Sequence, residues 1–175
     1  MRGNKPFTNT TFTKRVDHEG GRHRTPRAKS EPAVCKECGA VYAKRRWTAP
    51  KLSSGASNQK HWRPARVTLC PACKQKNSGE PCGFLFLDGA FFMTHQDEIE
   101  SLLRNEAERA AEDNALARIL EWKRGDGHKL TVTTTTEHLA QRLGHALEKA
   151  FSGEVHYDFS HENKLARMSW QREEN

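Results

Sequence analysis

Two C-x-x-C pairs constrain this chain more than any other feature: Cys35/Cys38 in C-K-E-C-G and Cys70/Cys73 in C-P-A-C, with 31 residues between them. A pair of thiolates spaced this way grips one ion from a tight turn, and two such knuckles complete a tetrahedral shell of four sulfurs. Gly39, one residue after the first pair, and Pro71, inside the second, suit the sharp turns a knuckle needs. A redox dithiol normally stands alone beside a βαβ pattern, and a disulfide within each pair would close a very small loop. The spacing therefore predicts one structural Zn2+ on Cys35, Cys38, Cys70 and Cys73, freezing an otherwise floppy, positively charged surface.

The charge is divided. Residues 1–76 carry 18 Lys and Arg against 4 Asp and Glu, or +14, whereas residues 77–175 carry 11 against 18, or −7. A dense positive field on the cysteine half suits a polyanion, and in cytoplasm the obvious polyanion is nucleic acid. Cytoplasm is itself an expectation, because the opening M-R-G-N-K-P leads into no apolar run and no stretch of about 18 apolar residues occurs. Five cysteines, four of them in metal spacing, agree with a reducing compartment. With 35% hydrophobic residues and a mean hydropathy of −0.89, much of the chain is expected at the surface or in tails.

Residues 1–32 bring Lys14, Arg15, Arg22, Arg24 and Arg27 among Gly, Thr and Pro and almost nothing to bury, so a disordered basic tail is expected there. Residues 33–82 form the expected four-cysteine zinc-knuckle module. Two basic-aromatic clusters lie between its knuckles, Tyr42, Lys44, Arg45, Arg46, Trp47 and then Lys60, His61, Trp62, Arg63, Arg66, separated by a Ser/Gly/Pro connector from Ala49 to Asn58. Cations neutralise phosphates while Trp and Tyr faces stack on bases, a pairing that suits RNA or single strands better than a duplex major groove. The other reading is that Trp47 and Trp62 cap the apolar face of the module.

Residues 83–175 read as a small α+β sandwich with a mostly antiparallel sheet and helices on one face. Cys82 is expected as a buried thiol outside the ligand set, opening a strand, Gly83 to Leu87, that continues past an Asp88-Gly89 turn through Ala90, Phe91, Phe92 and Met93. Thr94, with Asp97 three residues on, predicts the N-cap of a long helix to about Lys123, with Ile99, Leu102, Leu103, Ala107, Ala110, Ala117 and Leu120 as its stripe. Leu130, Val132 and Thr134 alternate as a strand, and Thr135 or Thr136 caps a second helix facing inward through Leu139, Leu143, Leu147, Ala150 and Phe151. Two alternating runs, Val155 to Phe159 and Ala166 to Trp170, complete a β-α-β-α-β-β order.

C-K-E-C-G, a basic-aromatic loop ending at Trp, C-P-A-C, a Gly-rich aromatic strand and the segment G-D-G-H-K-L-T-V-T-T-T-T-E-H-L-A-Q-R-L together resemble the amino-terminal part of the nonsense-mediated-decay-three family. The resemblance covers residues 34–171 as an order of elements. That family includes the adaptor that rides on nascent large ribosomal subunits for nuclear export, with archaeal and short bacterial relatives. It implies zinc on the four cysteines and a basic module facing ribosomal RNA. The family's adaptor also has a second pair of knuckles and export signals, which these residues lack, so nuclear export is not implied.

The expected function is that of a non-enzymatic, zinc-stabilised protein binding ribosomal RNA on the large subunit, in maturation, quality control or hibernation. Ribosomal proteins would meet its acidic half. The alternative is a zinc-ribbon adaptor or transcription regulator that docks a protein through that half. Asp158, His161 and Glu162 are the loosely catalytic cluster of the chain, and in a hairpin turn they are more readily polar turn residues.

Overall fold

The computed structural model describes residues 33–50, 66–126, 129–160 and 165–173. Residues 1–32, residues 51–65 with Lys60, His61, Trp62 and Arg63, and Gly127, His161 and Glu162 lie outside the described residues. Two sheets carry the fold, which is α+β. The first has four very short strands, β1 (Ala33–Cys35), β2 (Val41–Ala43), β3 (Arg46–Thr48) and β4 (Arg66–Thr68), in the order β3-β2-β1-β4 and followed by helix α1 (Pro71–Ser78). Only β1 and β4 run parallel.

The second sheet has the order β6-β7-β5-β9-β8 and is built from β5 (Gly83–Asp88), β6 (Ile119–Arg124), β7 (Leu130–Thr134), β8 (Glu154–Ser160) and β9 (Leu165–Gln171). Its pairs are antiparallel except β5 with β9. Helices α2 (Ala90–Thr94), α3 (Gln96–Asp113) and α4 (Glu137–Phe151) complete this unit. α4 lies on β5, β7, β8 and β9, and α3 packs on α4. Leu85, Leu87, Leu130, Val132, Met168 and Trp170 bury the inner face of the sheet against Ile99, Leu103, Leu139, Leu143 and Leu147. Each such side chain contributes about 1.5–3 kcal/mol on leaving water, which makes this cluster the main source of stability. Arg142 on α4 adds ion pairs to Glu106 (3.1 Å) and Asp113 (3.2 Å) of α3.

Helix α4 starts as its sequence directs: the Thr136 side chain accepts from the Leu139 N–H, and the helix stops at Ser152-Gly153, both with positive φ. Phe151 packs on the core, but Ala150, expected on the apolar face, is exposed. Three further expectations are corrected. The long helix does not reach Lys123; it ends at Asp113 because the Asn114 side-chain oxygen accepts from the Leu116 N–H (3.1 Å), an Asx turn that offers the backbone an alternative to the next helical bond. Ile119–Arg124 then pairs with β7 as a strand, so Ala117 is buried in the turn and Leu120 sits at a bulge. Thr94 is not an N-cap. It is the last residue of the separate helix α2 and its hydroxyl donates back to the Ala90 carbonyl (3.2 Å), while His95 precedes α3 without a side-chain cap. Finally, Phe91, Phe92 and Met93 belong to that short helix and do not extend the strand. Gly89, at φ +112°, turns the chain off the sheet so that Phe91 and Phe92 reach the core.

The middle of the second sheet leaves no room at its first residue. A Cβ on Gly83 would lie 2.3 Å from Thr134 Oγ1 and 2.6 Å from Ala140 Cβ, both on rigid elements. Gly83→Ala is expected to cost about 1–3 kcal/mol in a urea melt; an unchanged midpoint would show that α4 does not pack where described.

Candidate metal centre

The first pair of cysteines forms the turn between β1 and β2. The Gly39 N–H donates to the Cys35 carbonyl (3.0 Å) and the Cys35 N–H to the Ala40 carbonyl (2.8 Å), with Gly39 itself at φ +71°. The second pair sits at the start of α1. Cys70 is the N-cap, its sulfur accepts from the Cys73 N–H (3.4 Å), and Pro71 fills the first helical position, where no N–H is needed. Parallel pairing of β1 with β4 brings the two together, since Cys35 lies beside Thr68 and the Lys36 N–H reaches the Thr68 carbonyl (3.0 Å). Two residues on, the Cys70 N–H donates to Cys35 Sγ (3.2 Å).

All four sulfurs lie within 4.8 Å of one another, and Cys38 Sγ to Cys70 Sγ is 3.6 Å. Four ligands at about 2.3 Å in a tetrahedron are about 3.8 Å apart, so the quartet can hold a metal ion with little rearrangement and its donor set is consistent with zinc. Cys35, Cys70 and Cys73 are buried and Cys38 is half-buried, the closed environment of a structural site. Cys82 is half-buried and lies outside the quartet. Its backbone extends β5 by bonds to Thr134 and Ala166 (3.0 Å each), and its sulfur accepts from Gln75 Nε2 (3.1 Å).

The electrostatics are asymmetric. Burial opposes ionisation of Cys35, but backbone donors from Cys70, Cys38 and Glu37 outweigh it and bring the thiol down to about 6. Burial pushes Cys70 up to about 11, with the Cys38 sulfur adding to it against donors from Cys73, and pushes Cys73 higher still with the help of the other three sulfurs. Protein groups alone thus disfavour four adjacent negative charges, and a divalent cation would supply what is missing.

The basic-aromatic residues divide. Lys44 and Arg45 form the exposed two-residue tip of the β2–β3 hairpin, both with positive φ (50° and 62°), a type I′ arrangement normally given to Asn-Gly. Arg66 is exposed on β4, an edge strand. Arg46 turns its guanidinium to the Asp113 carbonyl at the end of α3. Trp47 is 7% exposed, packs into the cysteine cluster with Tyr42 tilted against it (5.3 Å), and so follows the capping reading; its indole face is not open to a base. Asp158 pairs loosely with Arg167 (4.0 Å).

Three contributors were invisible in the sequence. Leu116 packs against the cysteine cluster from the turn after α3. Arg118 is half-buried in the same turn; burial works against its charge, but the Cys38, Cys70 and Cys73 sulfurs outweigh it and raise its pKa. Gln75, on α1, donates to the Thr135 carbonyl (2.9 Å). The first two sit in residues that periodicity assigns to a helix, so no local signal pointed to them. No family model, curated protein or solved structure matches the chain.

Metal uptake must displace protons from thiols that burial keeps protonated, Cys70 and Cys73 above all, so affinity falls with pH. Cys35 remains a thiolate until about 6, and below that its protonation adds a further loss. Zinc retention against a chelator should therefore weaken throughout the neutral range as pH falls and steepen below about pH 6, with Cys73→Ser abolishing stoichiometric binding. Retention independent of pH would exclude thiolate ligation.

Proposed function

We propose that this chain is a zinc-stabilised RNA-binding protein acting on the large ribosomal subunit, a short relative of the nonsense-mediated-decay-three family that works by binding and not by catalysis. The reading rests on where the positive charge lies: +14 on residues 1–76, the half that carries the cysteine quartet. Within that half, the hairpin tip is the strongest single support. Two long cations at positive φ cost about 1 kcal/mol or more each relative to Gly, and both side chains are exposed. Cations held at strained backbone positions on an exposed hairpin tip are placed to meet a phosphate. Lys44 and Arg45, with Arg66 and the basic residues of 1–32 and 60–63, would contact phosphates; Tyr42 would sit at the edge of that surface.

Ribosomal proteins would meet the acidic unit. Among the described residues no helix is long and apolar enough to cross a membrane, and a cytoplasmic location fits the ribosomal role. A zinc-ribbon adaptor docking a protein partner is the second reading, favoured by the outer face of the second sheet, where Phe84 and exposed Phe86 stack (6.1 Å, 4°) with no helix over them among the described residues. Pull-down material that survives nuclease treatment would favour it.

The hairpin separates stability from function. Lys44→Asn with Arg45→Gly should stabilise the protein by up to about 1 kcal/mol. The same double substitution should weaken binding to ribosomal RNA and lower the log–log salt slope by about 2. Binding that is indifferent to salt, or unchanged in this variant, would defeat the RNA reading at this surface.

A further inference from the structure

We propose that β8 is a self-association edge: two copies of this chain pair their β8 strands antiparallel about Tyr157, joining two five-stranded sheets into one. Neither the metal site nor the RNA reading is needed for it. β8 is the outermost strand of the order β6-β7-β5-β9-β8, and it keeps an unbroken register with β9 from Glu154 to Ser160. Sheets normally guard such an edge with lysine, proline, a bulge or a very short strand. The other edges among the described residues are guarded in this way. β6 shifts register between Ile119 and Glu121 and carries Lys123 and Arg124, while β3 and β4 are three residues long. β8, E-V-H-Y-D-F-S, is seven residues long and has no lysine, proline or bulge.

The charges that β8 does carry match those of a second copy. The Ala166 N–H donates to the Cys82 carbonyl (3.0 Å), on the β5 side of β9, so the Arg167 backbone turns the other way, to Asp158 of β8. Backbone groups alternate along a strand, and Val155 and Tyr157 therefore present N–H and C=O to the side away from β9. With Tyr157 opposite Tyr157, the two copies of that residue exchange both backbone bonds. The same register sets His156 opposite Asp158 on the outer face, twice by symmetry, in the non-hydrogen-bonded pairs where side chains approach most closely. On the inner face it sets Val155 opposite Phe159. Sliding the centre by one residue destroys the match: about His156, Glu154 meets Asp158, and about Asp158 the two Asp158 carboxylates meet.

The side chains stand ready for this register. His156 and Asp158 are exposed, and Asp158 has only the loose pair to Arg167 (4.0 Å), which leaves oxygen sites for an imidazole. Tyr157 is half-buried and braced from α4, its hydroxyl 3.1 Å from His145 Nδ1. Helix α4 packs mainly on β9 and β5, so the second copy meets no helix over β8 itself. One strand pair is a smaller interface than the about 1,600 Å² of a standard one, and the dimer should be weak, dissociating in the micromolar range.

The test is sedimentation equilibrium of the full chain, freed of nucleic acid, across the micromolar range. The parent protein should pass from monomer to dimer as its concentration rises. His156→Asp sets carboxylate against carboxylate at both symmetric positions, and Asp158→Lys removes both attractive pairs. Each should raise Kd about tenfold, and the double substitution, which restores opposite charges, should return it towards the parent value. Amide exchange at Tyr157, followed in the same samples, should slow as concentration rises. A chain that stays monomeric, or a dimer indifferent to both single substitutions, would overturn the inference. So would a Tyr157 amide equally protected at every concentration, the sign that another segment of the same chain covers β8.

Discussion

The convergence of four sulfurs inside 4.8 Å is the constraint on which the first half of this protein depends. Its strands are three residues long, and its buried cluster consists of Cys35, Ala40, Cys70, Ala72 and Cys73, closed by Trp47 and little else. Such a unit has too little apolar surface to offset the entropy of ordering its loops. Small domains of this kind are completed by a cross-link or a metal, and the free energy of metal binding is then free energy of folding. The parallel β1–β4 pair positions the four sulfurs, and an ion on them would hold the pair together.

The second half is built by the opposite means. Its helices and five-stranded sheet enclose a continuous aliphatic and aromatic core, with ion pairs at the α3–α4 boundary as an addition. The junction between halves is polar and specific. Gln75, Cys82, Thr135 and Arg118 exchange hydrogen bonds there, and Arg46 reaches the end of α3. A surface of directed bonds fixes orientation more than it adds stability, because each is worth about 1 kcal/mol net.

What could be read from the sequence follows from the range of the signals. The quartet was legible because C-x-x-C spacing is local chemistry, and α4, β8 and β9 because their periodicities are sustained over whole elements. The stop at Asn114 was not. Ala117 and Leu120 continue the helical repeat by coincidence, and a single side-chain bond to Leu116 overrides it. Phe91 and Phe92 resemble strand because an apolar run does not distinguish strand from helix until Gly89 is known to leave the sheet plane. The four strands of the metal unit are too short for any alternation to register. Arg118 and Gln75 are joined to their partners only by the fold, and Trp47 is shown to be capping, not open, only by its burial.

The central claim is that a metal ion on Cys35, Cys38, Cys70 and Cys73 holds the first unit folded. Heteronuclear amide spectra of the full chain, recorded before and after the metal is stripped by a chelator, test it most directly. The account predicts stoichiometric zinc at the outset, then collapse of the dispersed signals of residues 33–50 and 66–78 on stripping, while the core of residues 83–173 keeps its dispersion. Dispersed signals from the first unit that persist in protein shown to contain no metal would contradict it.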